Sequence, residues 1–242
     1  RHEMTRPDLP NRHPDAESVL DAMATMRAMR RYTEDPVPES DLARILFTAS
    51  RAPSGSNRQG FRFILLRHGE EAMAAKGAIG RAAREIWSAK RRADGYDSGS
   101  GAQADSPKAR MATTMQHFVD HFEQIPVVIL VAALRHRPGP EETIGASVYP
   151  ACQNLLLAAR TLGYGATIMT WHRAVEAELR EILDIPEEAF LAATITLGVP
   201  AGRQGPVRRM PIKAFVHDGR WGTAADWLRE PPGPRHTHWR RP

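Results

Sequence analysis

The run Pro126–Leu134 reads Pro-Val-Val-Ile-Leu-Val-Ala-Ala-Leu, without a polar side chain. It is far short of the ~18–20 apolar residues that cross a bilayer, and its continuous apolarity argues for a central strand buried on both faces. The chain around it has 42% hydrophobic and 25% charged residues, the mix of a soluble globular protein with a packed core. Gly and Pro number 18 and 19 in 242 residues, too few for a low-complexity or collagen-like chain. No early segment combines basic residues, an apolar stretch and a cleavage site, so a cytoplasmic protein without a membrane partner is expected. The one cysteine, Cys152, excludes an intramolecular disulfide framework and any multi-cysteine zinc site.

Periodicity predicts the remaining elements. Val19, Leu20, Met23 and Met26 mark a first helical stripe, interrupted at Pro36 and Pro38. Leu42, Ile45, Leu46 and Ala49 mark a second helix with Ser40 as its N-cap. A loop with turn chemistry, 52–60, leads into a strand at Phe61–Leu66. Between Arg84 and Arg110 the sequence thins to charges, Gly, Ser and Ala, with Ile86, Trp87 and Tyr96 as its large anchors, and reads as a lid-like excursion.

Met111, Met115, Phe118 and Phe122 restore a helical stripe. Ala146–Leu162 is expected as a helix buried around most of its circumference, ended by Gly163 and Gly165 as left-handed caps. A strand at Ala166–Thr170 follows, then a helix through Val175, Leu179, Ile182 and Leu183, then strands at Leu191–Gly198 and Ile212–His217. About five strands and five or six helices alternate irregularly with no repeat and no composition break, which describes one α+β domain. Residues 1–15 read as a disordered arm or tag remnant, and 226–242 as a C-terminal tail.

The residues by themselves narrow the chemistry. His117 and His121 have i, i+4 spacing but lie off the buried stripe, so a solvated face is expected and no metal site. Cys152, on a buried helical face, reads as a small core residue. Ser54 and Ser56 lack the spacing of a hydrolase elbow, no phosphate loop of the Gly-x-x-x-x-Gly-Lys type occurs, and Gly163-Tyr164-Gly165 closes a helix where a Rossmann fingerprint would open one. The net charge of +5 permits an anionic partner, but no aromatic-rich strand motif or recognition helix supports nucleic-acid binding. Arginines can fork onto a phosphate while a Ser/Gly/Asn loop contacts a planar heteroaromatic ring, although spacing alone favours solvation of Arg27 and Arg209.

Three ordered blocks add a resemblance. Met26-Arg27-Ala28-Met29-Arg30-Arg31-Tyr32, with Pro53-Ser54-Gly55-Ser56-Asn57-Arg58-Gln59 after it, resembles the opening of the FMN-dependent nitroreductase family. Tyr149–Arg160 with Leu162–Gly165 is similar to that family's long central helix, and Leu197–Gly202 with Gly205–Pro211 to its C-terminal signature.

The resemblance implies an α+β fold with a central, mainly antiparallel sheet flanked by helices, over a single domain at 16–225. It further implies an interlocked homodimer with non-covalent FMN at the interface. By position it assigns Arg27, Ala28, Met29 and Arg30 to the cofactor, the last as a flavin-tuning cation. Pro53, Ser54, Gly55, Asn57 and Gln59 would come from the partner chain, Ile168, Met169 and Thr170 would lie along the ring, and Arg208 and Arg209 would close on the phosphate. Met26 and Ala28 replace a basic residue and a serine of the family pattern, and Gly60-Phe61 replaces Pro-Trp.

The implied activity is an NAD(P)H oxidoreductase that reduces a nitroaromatic, quinone or similar small oxidant by ping-pong hydride transfer through flavin N5, with no obligatory catalytic side chain. The alternative is a storage or sensing flavoprotein of the same fold with little turnover.

Overall fold

In the computed structural model, which describes residues 19–134, 141–230 and 237–238, the apolar run forms β2 (Val127–Leu134) inside a four-stranded sheet. β1 (Phe61–Leu66) and β4 (Ala189–Gly198) flank β2, and β3 (Gly165–Met169) lies beyond β4 at the edge, every pairing antiparallel. Alternation along β2 explains why its sequence has no polar face. Val127, Ile129, Val131 and Ala133 pack on α2 (Glu39–Ala49) and α5 (Glu141–Thr161), whereas Val128, Leu130 and Ala132 pack on α3 (Glu70–Ala93), α4 (Pro107–Asp120) and α6 (Glu176–Ile182). Each fully buried valine, leucine or isoleucine of this set contributes roughly 1.5–3 kcal/mol. An extra residue, Ala192, bulges β4 opposite Val131 and Ala132. No described helix is long and apolar enough to cross a membrane.

Several elements differ from the sequence expectation. Pro38, not Ser40, precedes α2; its fixed φ of −58° sets the entry, and no side chain caps the helix. Gly163 has the left-handed φ of 86° expected of a cap, but Gly165 does not and instead opens β3. Of the strand expected at Ile212–His217, Ile212–Ala214 is a 3₁₀ turn followed by an exposed Phe215, and His217 pairs in an isolated antiparallel bridge with Ala224. Arg208 and Arg209 (β5) pair instead with Thr237 and His238 (β6), so part of the expected tail joins a small second sheet. The arm expected over 1–15 lies outside the described residues.

The excursion expected from Arg84 to Arg110 is, through Ala93, the C-terminal part of the 24-residue α3. Its buried face consists mostly of alanines (Ala72, Ala75, Ala78, Ala82, Ala83), which pack closely yet carry a weak hydrophobic signal. The first helix, α1 (Val19–Thr25), buries Ala22 and Thr25, while Val19, Leu20 and Met23 are 65%, 76% and 51% exposed. Its apolar stripe thus faces away from the chain's own core.

Two buried groups have measurable consequences. Cys152 is 1% exposed and burial pushes its thiol up to about 12, so it is the core residue the sequence suggested. A chromogenic disulfide reagent at pH 8 is expected to leave the native protein unmodified and to find one thiol per chain after unfolding in urea.

Lys76, 2% exposed, donates from Nζ to the carbonyls of Arg67 (3.0 Å) and Ile125 (2.7 Å), and burial lowers its pKa from 10.5 to about 8. Between those values the unfolded chain holds the proton and the native chain releases it, so folding stability rises with pH across that window by up to about 3 kcal/mol. Urea midpoints of the wild type and Lys76→Met, compared at pH 7, 8.5 and 10, should show the wild type gaining on the variant as pH rises. A difference that does not move with pH would contradict the assignment.

Candidate functional site

The segment Arg27–Tyr32 runs along the free edge of β3. Ala28 bridges Ala166 in parallel and the Met29 N–H donates to the Ala166 carbonyl at 3.1 Å. Such an approach is possible because residue 165 is glycine: a Cβ there would lie 2.8 Å from Met29 Cβ and 3.1 Å from Pro200 Cβ. Downstream, the Thr33 N–H donates to Val199 and the Ala201 N–H to Arg31. The Tyr32 hydroxyl donates to the Met29 carbonyl at 2.6 Å and is hydrogen-bonded to Thr196 Oγ1 at 2.8 Å, which fixes the curvature between Met29 and Tyr32.

At the end of β3 a cavity of about 460 Å³ opens between this segment and the α3–α4 layer. Arg30, Ile168, Met169 and Thr170, all singled out in the sequence, line it together. The strand end is held from below by His172, fully buried, whose Nε2–H donates to the Leu191 carbonyl (3.2 Å) while Nδ1 accepts from Thr194 Oγ1 (3.0 Å). Burial lowers the His172 pKa, so the ring is the neutral tautomer these bonds require.

Arg30 is the electrostatic centre of the cavity. Burial holds its pKa below the ordinary arginine value, Tyr32 opposes this shift, and the neighbouring charge of Arg27 adds to it. Other arginines of the chain, such as Arg84 and Arg180, pair with glutamates, but Arg30 has no carboxylate partner among the described residues. A desolvated cation without an anion, facing a cavity, is a built acceptor for negative charge.

The other singled-out residues distribute in two groups. Arg27 and Ala28 are exposed on the same edge as Arg30. Arg208 and Arg209, also exposed, follow Val207, whose N–H donates to Ala24 at the end of α1, so they start from the neighbourhood of Arg27. The loop with Pro53, Ser54, Gly55, Asn57 and Gln59 does not line the cavity. It is ordered by its own bonds, Gln59 N–H to Ser54 Oγ (2.9 Å) and Gly55 N–H to Ser147 Oγ (3.0 Å), with left-handed φ at Ser56, Asn57 and Gln59. It enters β1, on the opposite edge of the sheet from β3, which three strand spacings place ~14 Å away.

Sequence reasoning missed the cavity's outer wall. Trp87, Lys90 and Tyr96 come from the stretch read as an excursion, and Met111, Met115 and Phe118 from α4. The signal was present in the large anchors Trp87 and Tyr96, which meet edge-on with ring centroids 5.1 Å apart. His117 and His121 stack at 4.2 Å at the C-terminal end of α4 and do not line the cavity, and no group of three or more metal-ligating side chains occurs among the described residues.

The comparisons with known proteins bear on this arrangement. The model of the nitroreductase family matches residues 23–199. The chain belongs to the nitroreductase family. That match begins in α1 and ends just after β4, so it spans both the Arg27–Arg30 segment and the β3 edge against which it lies.

Among related nitroreductase-like sequences, an NADH dehydrogenase from Thermus thermophilus is 29% identical over 213 residues, covering 82% of this chain and 96% of its own. A Cr(VI) reductase from Pseudomonas sp. (strain G-1) is 33% identical over a shorter stretch of 78 residues, so the chain spans about a third (32%) of that relative's length. In three dimensions, the FMN- and NADPH-dependent nitroreductase of Sphigopyxis sp. strain HMH superposes with a TM-score of 0.62 at 21% identity, covering 82% of this chain and 97% of that one. The likeness establishes the nitroreductase fold, with its α+β layers and antiparallel sheet, as the sequence resemblance implied.

Proposed function

We propose that this protein is an FMN-dependent NAD(P)H oxidoreductase acting on small electrophilic acceptors, and that it works as a homodimer. The observation that carries this reading is Arg30: a half-buried guanidinium with no carboxylate partner among the described residues, lining the cavity with Ile168, Met169 and Thr170. FMN, when bound, supplies the redox chemistry, accepting two electrons from a nicotinamide and passing them to an acceptor.

The chain's own residues bind, orient and tune. Arg27, Arg208 and Arg209, solvent-facing and on neighbouring stretches of backbone, suit a phosphate, to which guanidinium groups give charge-assisted bidentate bonds. Arg30 is placed to stabilise negative charge developing on a bound ring, by the same preorganised electrostatics as an oxyanion hole. The exposed backbone edge at Ile168–Thr170 offers peptide groups to the ring's polar rim.

Two features support the dimer. The loop at 53–59 lies too far across the sheet to reach a ligand held by β3 of the same chain, so it serves that ligand only from a second copy. The exposed apolar residues Val19, Leu20 and Met23 of α1, with Phe47 of α2 at 64% exposure, supply a surface for such a copy to cover.

Steady-state oxidation of NADH and NADPH in the presence of a nitroaromatic or a quinone tests the reading, together with sedimentation at twice the 26.9 kDa chain mass. Turnover with parallel double-reciprocal lines is expected. A yellow protein without turnover would favour the storage or sensing alternative.

A further inference from the structure

We propose, on the basis of the oxidoreductase reading above, that Lys90 and the Trp87–Tyr96 pair form a subsite for a planar aromatic acceptor bearing an anionic group. The cavity combines aromatic side chains with cations: Trp87, Tyr96 and Trp171 on one hand, Lys90 and Arg30 on the other. No carboxylate lines the cavity among the described residues. Aromatic walls favour a flat ligand, which stacks or meets them edge-on, and the two cations set the sign of its substituent. Lys108 adds positive potential at the rim, its Nζ 5.5 Å from the centre of the Tyr96 ring.

The wall is fixed. Trp87 Nε1–H donates to Gln116 Oε1 (3.0 Å), which also accepts from Arg91 Nη1 (2.9 Å), and Arg91 holds Asp97 through paired bonds from its guanidinium. This chain of contacts ties α3 to α4 and to the turn that carries Tyr96, so the aromatic pair is presented in one geometry. Lys90 is held at the rim by Asp94, one helical turn along. Asp94 does not line the cavity, so an entering anion shares Lys90 with a carboxylate outside it. Arg30 serves the flavin in the proposed function, which leaves Lys90 to read the acceptor.

The test is calorimetric titration of the FMN-saturated protein with 4-nitrobenzoate and with the neutral 4-nitrobenzamide, which have nearly the same shape. The carboxylate is expected to bind at least fivefold more tightly. In Lys90→Met the ratio should fall to less than half, in Lys90→Arg it should be retained, and in Asp94→Asn it should rise. Equal affinities in the wild type, binding of neither compound, or an unchanged ratio in Lys90→Met would overturn the subsite. Rates of NAD(P)H oxidation, measured separately, distinguish the two levels. Selective binding without turnover with any acceptor sinks the oxidoreductase reading alone, and turnover without charge preference sinks the subsite alone.

Discussion

Arg30→Ala is expected to lose about a hundredfold in the rate of flavin reduction by NAD(P)H, while FMN affinity falls by less than tenfold. The asymmetry follows from where the cation is. Arg30 lines the cavity with Ile168–Thr170, partly desolvated and without a carboxylate partner among the described residues, so in the proposed function its field acts on charge that develops during reduction. In the proposed function, Arg27, Arg208 and Arg209 remain to hold the phosphate. Arg30→Lys keeps the charge but not the planar fork and should recover part of the loss. Stopped-flow absorbance of the oxidised flavin band gives the rate, and fluorescence titration gives the affinity. An unchanged reduction rate, or equal losses in both quantities, would remove the role assigned to Arg30.

Gly165→Val is expected to destabilise the fold by about 2 kcal/mol and to weaken FMN binding by more than tenfold, although residue 165 does not line the candidate cavity. A Cβ at this position would sit 2.8 Å from Met29 Cβ, 3.0 Å from Met29 Cγ and 3.1 Å from Pro200 Cβ, closer than packed carbons tolerate. Relief requires the Arg27–Arg30 segment to move off β3, which breaks the bond from Met29 N–H to Ala166 and carries both arginines with it. Urea denaturation and FMN titration measure the two effects. Loss of stability with full FMN affinity would show that the segment's seat on β3 does not position its arginines.

Gly165 also shows where the sequence was legible and where it was not. As the last of a Gly-Tyr-Gly triplet it looked like a second helix cap, a purely local role. Its actual constraint, the close approach of Met29, is tertiary and leaves no trace in the neighbouring residues. β2 was readable because burial on both faces leaves one unbroken apolar run, and β1 because Phe61–Leu66 is bounded by a polar loop. α3 was not legible: its first part suggested no element and its C-terminal part looked like an excursion, because its inner face is mostly alanines, whose periodicity is indistinguishable by hydrophobicity from a surface composition. The stripe of α1 was legible as apolar, but a sequence does not state whether an apolar face meets its own chain or another surface, and Val19, Leu20 and Met23 are exposed. Ile212–His217 failed for a related reason, because a strand needs a partner along its length and this segment has an isolated bridge from His217 to Ala224.

At the candidate site, the resemblance pointed to Arg30 and Ile168–Thr170, which one cavity brings together. Trp87, Lys90 and Tyr96 were passed over as parts of a loop, since their convergence depends on the Gln116 and Arg91 contacts between two helices.

Fluorescence titration of FMN with the purified protein, at micromolar concentrations of both, tests most directly whether these arginines and the β3 edge make a flavin site. Quenching that saturates at one FMN per chain is expected. Free-flavin emission that persists undiminished past equimolar protein would contradict it.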